Sequence, residues 1–172
     1  PHTYLADDYQ QILNDPEIDI ISLASFDNDH AAQLIKALSH HKHVFVEKPL
    51  SLKVPEAEEL CALSKQQNKV LMVGHLLQYH SAFLKLKDLV RTGKLGKLQY
   101  IYSNRLNLGK FRNEENILWS FAPHDISMIL SLAGDIPEKV LATGAAHLNR
   151  HIHDVTTTHL TFKNGIQAHV FV

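Results

Sequence analysis

Two side chains in this sequence of 172 residues are suited to handling a proton. They are Lys48, in Glu47-Lys48-Pro49, and His124, in Ala122-Pro123-His124-Asp125. Imidazole titrates near physiological pH without special tuning, so His124 suits a general base that takes a hydroxyl proton. On residue type alone it is equally a histidine beside a helix start that bonds backbone. Lys48 follows an apolar run and precedes proline, which biases it to extended backbone and aims its ammonium off the strand end. There it can hydrogen-bond a reacting hydroxyl and stabilise alkoxide character. An isolated Lys-Pro otherwise reads as a surface lysine whose stem covers apolar atoms.

Residues 105 to 112 carry Arg105, Lys110 and Arg112 with no acidic side chain. Guanidinium forks match carboxylates and phosphates, so an anionic sugar is one natural ligand, with Asn104 and Asn107 reading hydroxyl or acetamido groups. The alternative is a solvated basic loop balanced by Glu114 and Glu115. His151, His153 and Asp154 suggest a metal, because alternate strand residues share a face. No third ligand of sensible geometry accompanies them, and no metal is expected. His40, His41 and His43 read as surface or sheet-edge groups.

The elements that position these groups alternate at first between strand and helix. Ile18 to Ala24 is a β-branched apolar run that suits a strand buried on both faces. Asp27 then caps a helix with Ala31, Leu34, Ile35 and Leu38 on its inner stripe. His43 to Val46 and Val70 to Val73 are the next strands. Between them Pro55 opens a helix with Ala57, Leu60 and Cys61 inward. Helices between buried strands imply crossovers and a parallel sheet, part of a doubly wound domain over residues 1–76. From 77 the pattern changes. Helices over Ser81 to Thr92 and His124 to Ala133 accompany strands over Lys97 to Leu106, Lys139 to Ala146, Asp154 to Phe162 and Ile166 to Val172. Asn164-Gly165 is expected as a two-residue hairpin turn with both residues at positive φ. The fold class is therefore α/β, an incomplete Rossmann-type parallel sheet, followed by an α+β domain over 77–172 with a largely antiparallel open sheet.

Hydrophobic residues at 45% and charged residues at 20% are the balance of a globular protein. A net charge of -1 gives no field that recruits nucleic acid or an anionic membrane. The apolar runs are too short for a transmembrane helix. The lone Cys61 excludes an internal disulfide and suits a reducing, cytoplasmic setting.

Three segments in order carry a resemblance: Ile20 to Ser25 with His30 after it, Lys42 to Leu50 around Glu47-Lys48-Pro49, and Ala122-Pro123-His124-Asp125. They resemble the glucose-fructose oxidoreductase, inositol dehydrogenase and rhizopine-catabolism (Gfo/Idh/MocA) family. The resemblance implies a dehydrogenase using NAD or NADP, NAD first, in which Lys48 and His124 are catalytic. Ser25, Phe26, His30, Glu47, Lys48, Pro49 and His75 would face the cofactor. Tyr79, Asn104, Arg105, Asn107, Ser120 and His124 would face the substrate. His30 reads equally well as a helix-face histidine packed on the sheet, His75 and Tyr79 as filling at the domain junction, and Glu47 as a turn residue. The stretches Gly74 to His80, Ser103 to Gly109 and Leu118 to Asp125 resemble members that oxidise carbon 3 of a nucleotide-linked N-acetylglucosaminuronic acid. Where polyol-oxidising relatives carry aspartate, four residues before the histidine, this sequence has Ser120. The expected partner is thus a sugar or nucleotide sugar, in a homo-oligomer. A free-sugar or inositol dehydrogenase and a non-catalytic sugar-sensing or assembly relative are the alternatives. The family's glycine-rich phosphate turn is not in this sequence, and the resemblance implies further chain at both ends. Residues 1–172 alone are expected to be inactive and to bind dinucleotide weakly.

Overall fold

The computed structural model describes residues 5–106 and 115–172. Asn107, Lys110, Arg112 and Glu114, singled out above, lie outside them. The chain divides into two compact units, Pro1–Gly74 and His75–Val172, so the boundary falls two residues before the expected 76/77.

The first unit opens with a short helix, α1 (Tyr9–Asn14), capped by Asp8, whose side chain accepts from the Gln10 amide. Strands β1 (Ile20–Leu23), β2 (His43–Val46) and β3 (Leu71–Val73) form a parallel sheet in that order. Helix α2 (His30–Ser39) links β1 to β2, and α3 (Val54–Gln66) links β2 to β3. Crossovers of one hand that step the same way lie on one face of a sheet. Strand burial follows from this. Ile21, Leu23, Val44 and Val46 join Leu34, Ala37, Leu38 and Leu60 in one core, whereas Ile20 and Ser22 are exposed. The expected two-sided burial of β1 is thereby corrected: within this chain both crossovers cover the same face. Both helices close on a left-handed residue, His41 (φ 56°) and Asn68 (φ 52°). The amides of Lys42 and Lys69 reach back to the carbonyls of Ala37 and Ser64, which closes each helix and turns the chain into the next strand. Cys61 is exposed, not inward, because Leu60 and Ser64, one turn apart, define the buried face of α3. Ile35 is likewise 46% exposed, since the inner stripe of α2 is His30, Leu34, Ala37 and Leu38.

The second unit holds α4 (Ser81–Arg91), β4 (Tyr100–Asn104), α5 (Ile117–Ala133), β5 (Pro137–Ala145), β6 (Val155–Phe162) and β7 (Gln167–Phe171). Its sheet has the order β4-β7-β6-β5, with β4 parallel to β7 and the other two pairs antiparallel. Ala122, Ile129 and Ala133 of α5 pack on Leu160, Phe162, Ala168 and Val170 of β6 and β7. Two details correct the sequence reading. Helix α5 begins at Ile117, seven residues before His124, because Asn116 caps it by accepting from the Trp119 amide at 3.1 Å. Pro123 therefore lies inside the helix, where it can donate nothing to the Trp119 carbonyl. In the β6–β7 hairpin only Gly165 has positive φ (87°), and its amide bonds the Phe162 carbonyl. The connection is a three-residue loop with glycine in the left-handed position, not a two-residue turn.

Candidate active site

In the first unit the carboxyl ends of the parallel strands bring together Ser25, Phe26, Glu47, Lys48 and Pro49. The Glu47 amide bonds the Leu23 carbonyl at 3.0 Å, and the Gly74 amide bonds that of Val46 at 2.7 Å. These bonds carry the ladder one residue past β2 and β3, so Lys48, half-buried, is the first residue to leave the sheet. The Lys48–Pro49 peptide is cis. A Cβ at Gly74 would lie 3.2 Å from both Glu47 Oε2 and Phe45 Cζ, so glycine there makes room for the Glu47 side chain. Phe26 is 77% exposed, and the Ser25 hydroxyl donates to Gln33 Oε1 at 2.6 Å.

His30 departs from its expected cofactor role. It is fully buried, with Nδ1 2.7 Å from the Pro49 carbonyl oxygen and Nε2 3.2 Å from that of Ser25. A neutral ring carries one N–H, which the shorter contact assigns to Nδ1. His30 is thus a structural tie from the start of α2 to the segment that follows β2, and has no surface to offer a ligand.

In the second unit His124 lies on the second turn of α5, half-buried, with the His75 ring edge-on at 6.3 Å between centroids. Its neighbour Asp125 is 5% exposed and accepts hydrogen bonds from Ser103 Oγ at 2.8 Å, Arg105 Nε at 2.6 Å and Arg105 Nη2 at 3.3 Å. The Arg105 amide extends the β4–β7 ladder by bonding the Phe171 carbonyl, which fixes the root of that side chain. On the other side of His124, Ser127 Oγ donates to the His124 carbonyl at 2.8 Å and receives Gln78 Nε2 at 3.2 Å. The guanidinium expected to meet a carboxylate meets one inside the protein. Ser120 is buried and donates to Glu115 Oε1 at 2.9 Å, so its hydroxyl is turned to the protein and not outward, a correction to its expected substrate role. Tyr79 is 65% exposed, and Asn104 is exposed on the sheet face opposite Ser103. Asp125, Ser103, Ser127 and Gln78 were not expected from sequence. The only signal was a carboxylate next to the candidate base.

The family model described as "Oxidoreductase family, NAD-binding Rossmann fold" matches residues 2–75, and the "GFO/IDH/MocA C-terminal domain" matches residues 83–172. The chain belongs to the Gfo/Idh/MocA oxidoreductase family. It is 27% identical over 168 residues to myo-inositol 2-dehydrogenase of Thermotoga maritima, covering 92% of this chain and 50% of that protein. It is 28% identical over 155 residues to UDP-N-acetylglucosamine 3-dehydrogenase of Acidithiobacillus ferrooxidans, covering 90% and 48%. A crystal structure of a probable dehydrogenase from Thermotoga maritima superposes with a TM-score of 0.86 at 26% identity, covering 96% and 53%. The chain spans about half the length of the curated relatives it matches.

The family's cofactor is NAD. The first unit fits its nicotinamide end: ligands of open parallel sheets bind beyond the strands' carboxyl ends. An exposed aromatic, a hydroxyl and an ammonium stand there, with Gly74 adding no bulk. No glycine precedes Gly74 in this sequence, so a glycine-rich phosphate turn is not among residues 1–73. Among the described residues no helix is long and apolar enough to cross a membrane.

Proposed function

We propose that the complete protein oxidises a secondary alcohol of a sugar with NAD, most specifically carbon 3 of a nucleotide-linked N-acetylhexosamine or its acid. The observation that supports this is His124, held on a helix turn whose next residue is locked to β4 by Arg105 and Ser103. NAD supplies the hydride acceptor. His124 takes the hydroxyl proton, and a base contributes most when its ring cannot wander from the reacting oxygen. Lys48, leaving the first unit's sheet at the end of β2, supplies an ammonium suited to stabilising the negative charge of an alkoxide. Tyr79 is the exposed polar group offered to the sugar; Asn104, on the sheet face away from α5 and so from His124, is left out of the substrate contacts. Since Arg105 is engaged with Asp125, it acts as a positioning residue for His124, and a carboxylate on the sugar is not required for binding.

Oxidation of inositol is the second reading, favoured by the comparable identity to myo-inositol 2-dehydrogenase. Ser120, at the position of the polyol relatives' aspartate, weighs against it. The deciding measurement is NADH formation by the complete protein on UDP-N-acetylglucosamine, on its uronic acid and on myo-inositol. Turnover of either nucleotide sugar ahead of inositol supports the first reading, and inositol ahead of both establishes the second. No NADH from any secondary alcohol would leave a sugar-binding relative without dehydrogenase activity.

A further inference from the structure

The face of the second sheet away from α5 carries one cross-strand row that the proposed reaction does not use. Tyr102 on β4 stands opposite His169 on β7, which stands opposite His159 on β6, which stands opposite Leu141 on β5. The two imidazoles approach with Nδ1 atoms 3.3 Å apart and ring centroids 4.6 Å apart. Tyr102 stacks on His169 with centroids 4.9 Å apart and planes within 3°. Alternation sends Leu160, Ala168 and Val170 into the core and leaves His159 exposed and His169 half-exposed. The neighbouring positions on this face of β6 and β7 are Thr157, Thr161, Gln167 and Phe171, none of them a carboxylate.

We propose that His159 and His169 form a chelating site for a borderline divalent transition-metal ion such as Cu²⁺ or Zn²⁺. Imidazole–metal bonds are about 2.0–2.1 Å long, and two of them meeting at a tetrahedral angle hold their nitrogens about 3.3 Å apart. The observed separation is that bite. The competing account is a hydrogen bond from the N–H of one ring to the bare Nδ1 of the other, which the same separation also permits. Rings on paired strands are fixed by the ladder beneath them, and the Tyr102 stack restrains His169 further, so chelation needs little reorganisation. Two protein ligands leave the rest of the shell to water or to a ligand from a bound partner. Nitrogen donors without a carboxylate select against Mg²⁺ and Ca²⁺, and among first-row ions the affinity peaks at Cu²⁺.

The test uses the complete protein, stripped with a chelator, titrated calorimetrically with Zn²⁺, Cu²⁺ or Mg²⁺ alone. One Zn²⁺ or Cu²⁺ per chain should bind, with no heat from Mg²⁺. His159→Ala and His169→Ala should each abolish that binding, because a single imidazole does not chelate. His159→Gln, which keeps a polar side chain on the strand, should behave like the alanine variant, and circular dichroism checks that all of them fold. Tyr102→Leu should keep the stoichiometry and weaken the affinity. Copper electron paramagnetic resonance of the parent should show two nitrogen ligands. Binding that survives undiminished in either single variant, or in the double variant, overturns the site. All of these readouts are independent of the dehydrogenase reaction.

Discussion

His124 and Arg105 are separated by one carboxylate. If His124 is the base, His124→Ala in the complete protein lowers kcat by about 10²–10⁴, the usual contribution of general-base catalysis. The affinity for NADH stays the same, which a fluorescence titration checks; a kcat within threefold of the parent would remove the proton role. Arg105→Ala strands a carboxylate that is only 5% exposed. Breaking a buried pair costs about 3–5 kcal/mol, and the lower end applies because the guanidinium side is 32% exposed. Urea unfolding should record that loss, and kcat should fall alike on acidic and neutral sugars. A loss confined to the acid would return Arg105 to substrate recognition. Lys48 and His124 became candidates from the sequence because each sits in a contiguous motif. The role of Asp125 could not: its partners Ser103 and Arg105 lie 22 and 20 residues upstream, and only the packing of β4 under α5 joins them.

At the level of elements, the strands and helices emerged from apolar periodicity, whereas which face is buried depended on crossovers and helix phase, and the start of α5 on one polar contact. Asn116 starts α5 a full two turns early and carries the helix through Pro123, which the proline alone would forbid. Lys42 is a similar case. It lies in the motif that precedes Lys48, yet it is buried and donates to the carbonyls of Asp15 and Ile18 at 2.6 and 2.7 Å, pinning the end of α1 to the approach of β1. Lys42→Met should destabilise the protein by about 1–3 kcal/mol, the cost of losing charged donors to buried acceptors, seen as a lower urea midpoint with unchanged slope. Asp154 organises the other long connection. Its Oδ2 accepts from the Leu148 and His147 amides, and these bonds, Leu148 first, hold its carboxyl below the usual aspartate range. A lowered folded value means the stabilisation is complete above the ordinary aspartate pKa and disappears as pH falls through the folded one. Exchange protection of the 147 and 148 amides should therefore fade on acidification, and Asp154→Asn should flatten that dependence.

Across the whole molecule, two cores that share no residue coincide with two family models, residues 2–75 and 83–172. That division predicts a division of kinetic effects. Phe26→Ala removes an exposed ring beyond β1, and covering such a ring by a cofactor is worth about 1.5–3 kcal/mol. NADH should then bind roughly ten- to a hundredfold more weakly, with the KM for sugar little changed. Tyr79→Ala should show the reverse. If both variants raise both constants equally, the assignment of cofactor to the first unit and sugar to the second fails.

The buried imidazole of His30 has a mechanical consequence. One rigid ring, rooted at the start of α2, donates from Nδ1 to the carbonyl of Pro49, so the turn leaving β2 is tied to the helix into which the turn leaving β1 leads. Part of the disorder that a ligand would have to remove from the turn leaving β2 has already been removed by folding, and association is correspondingly less opposed by entropy. Stiffness at this rim is therefore set by a residue that no ligand touches.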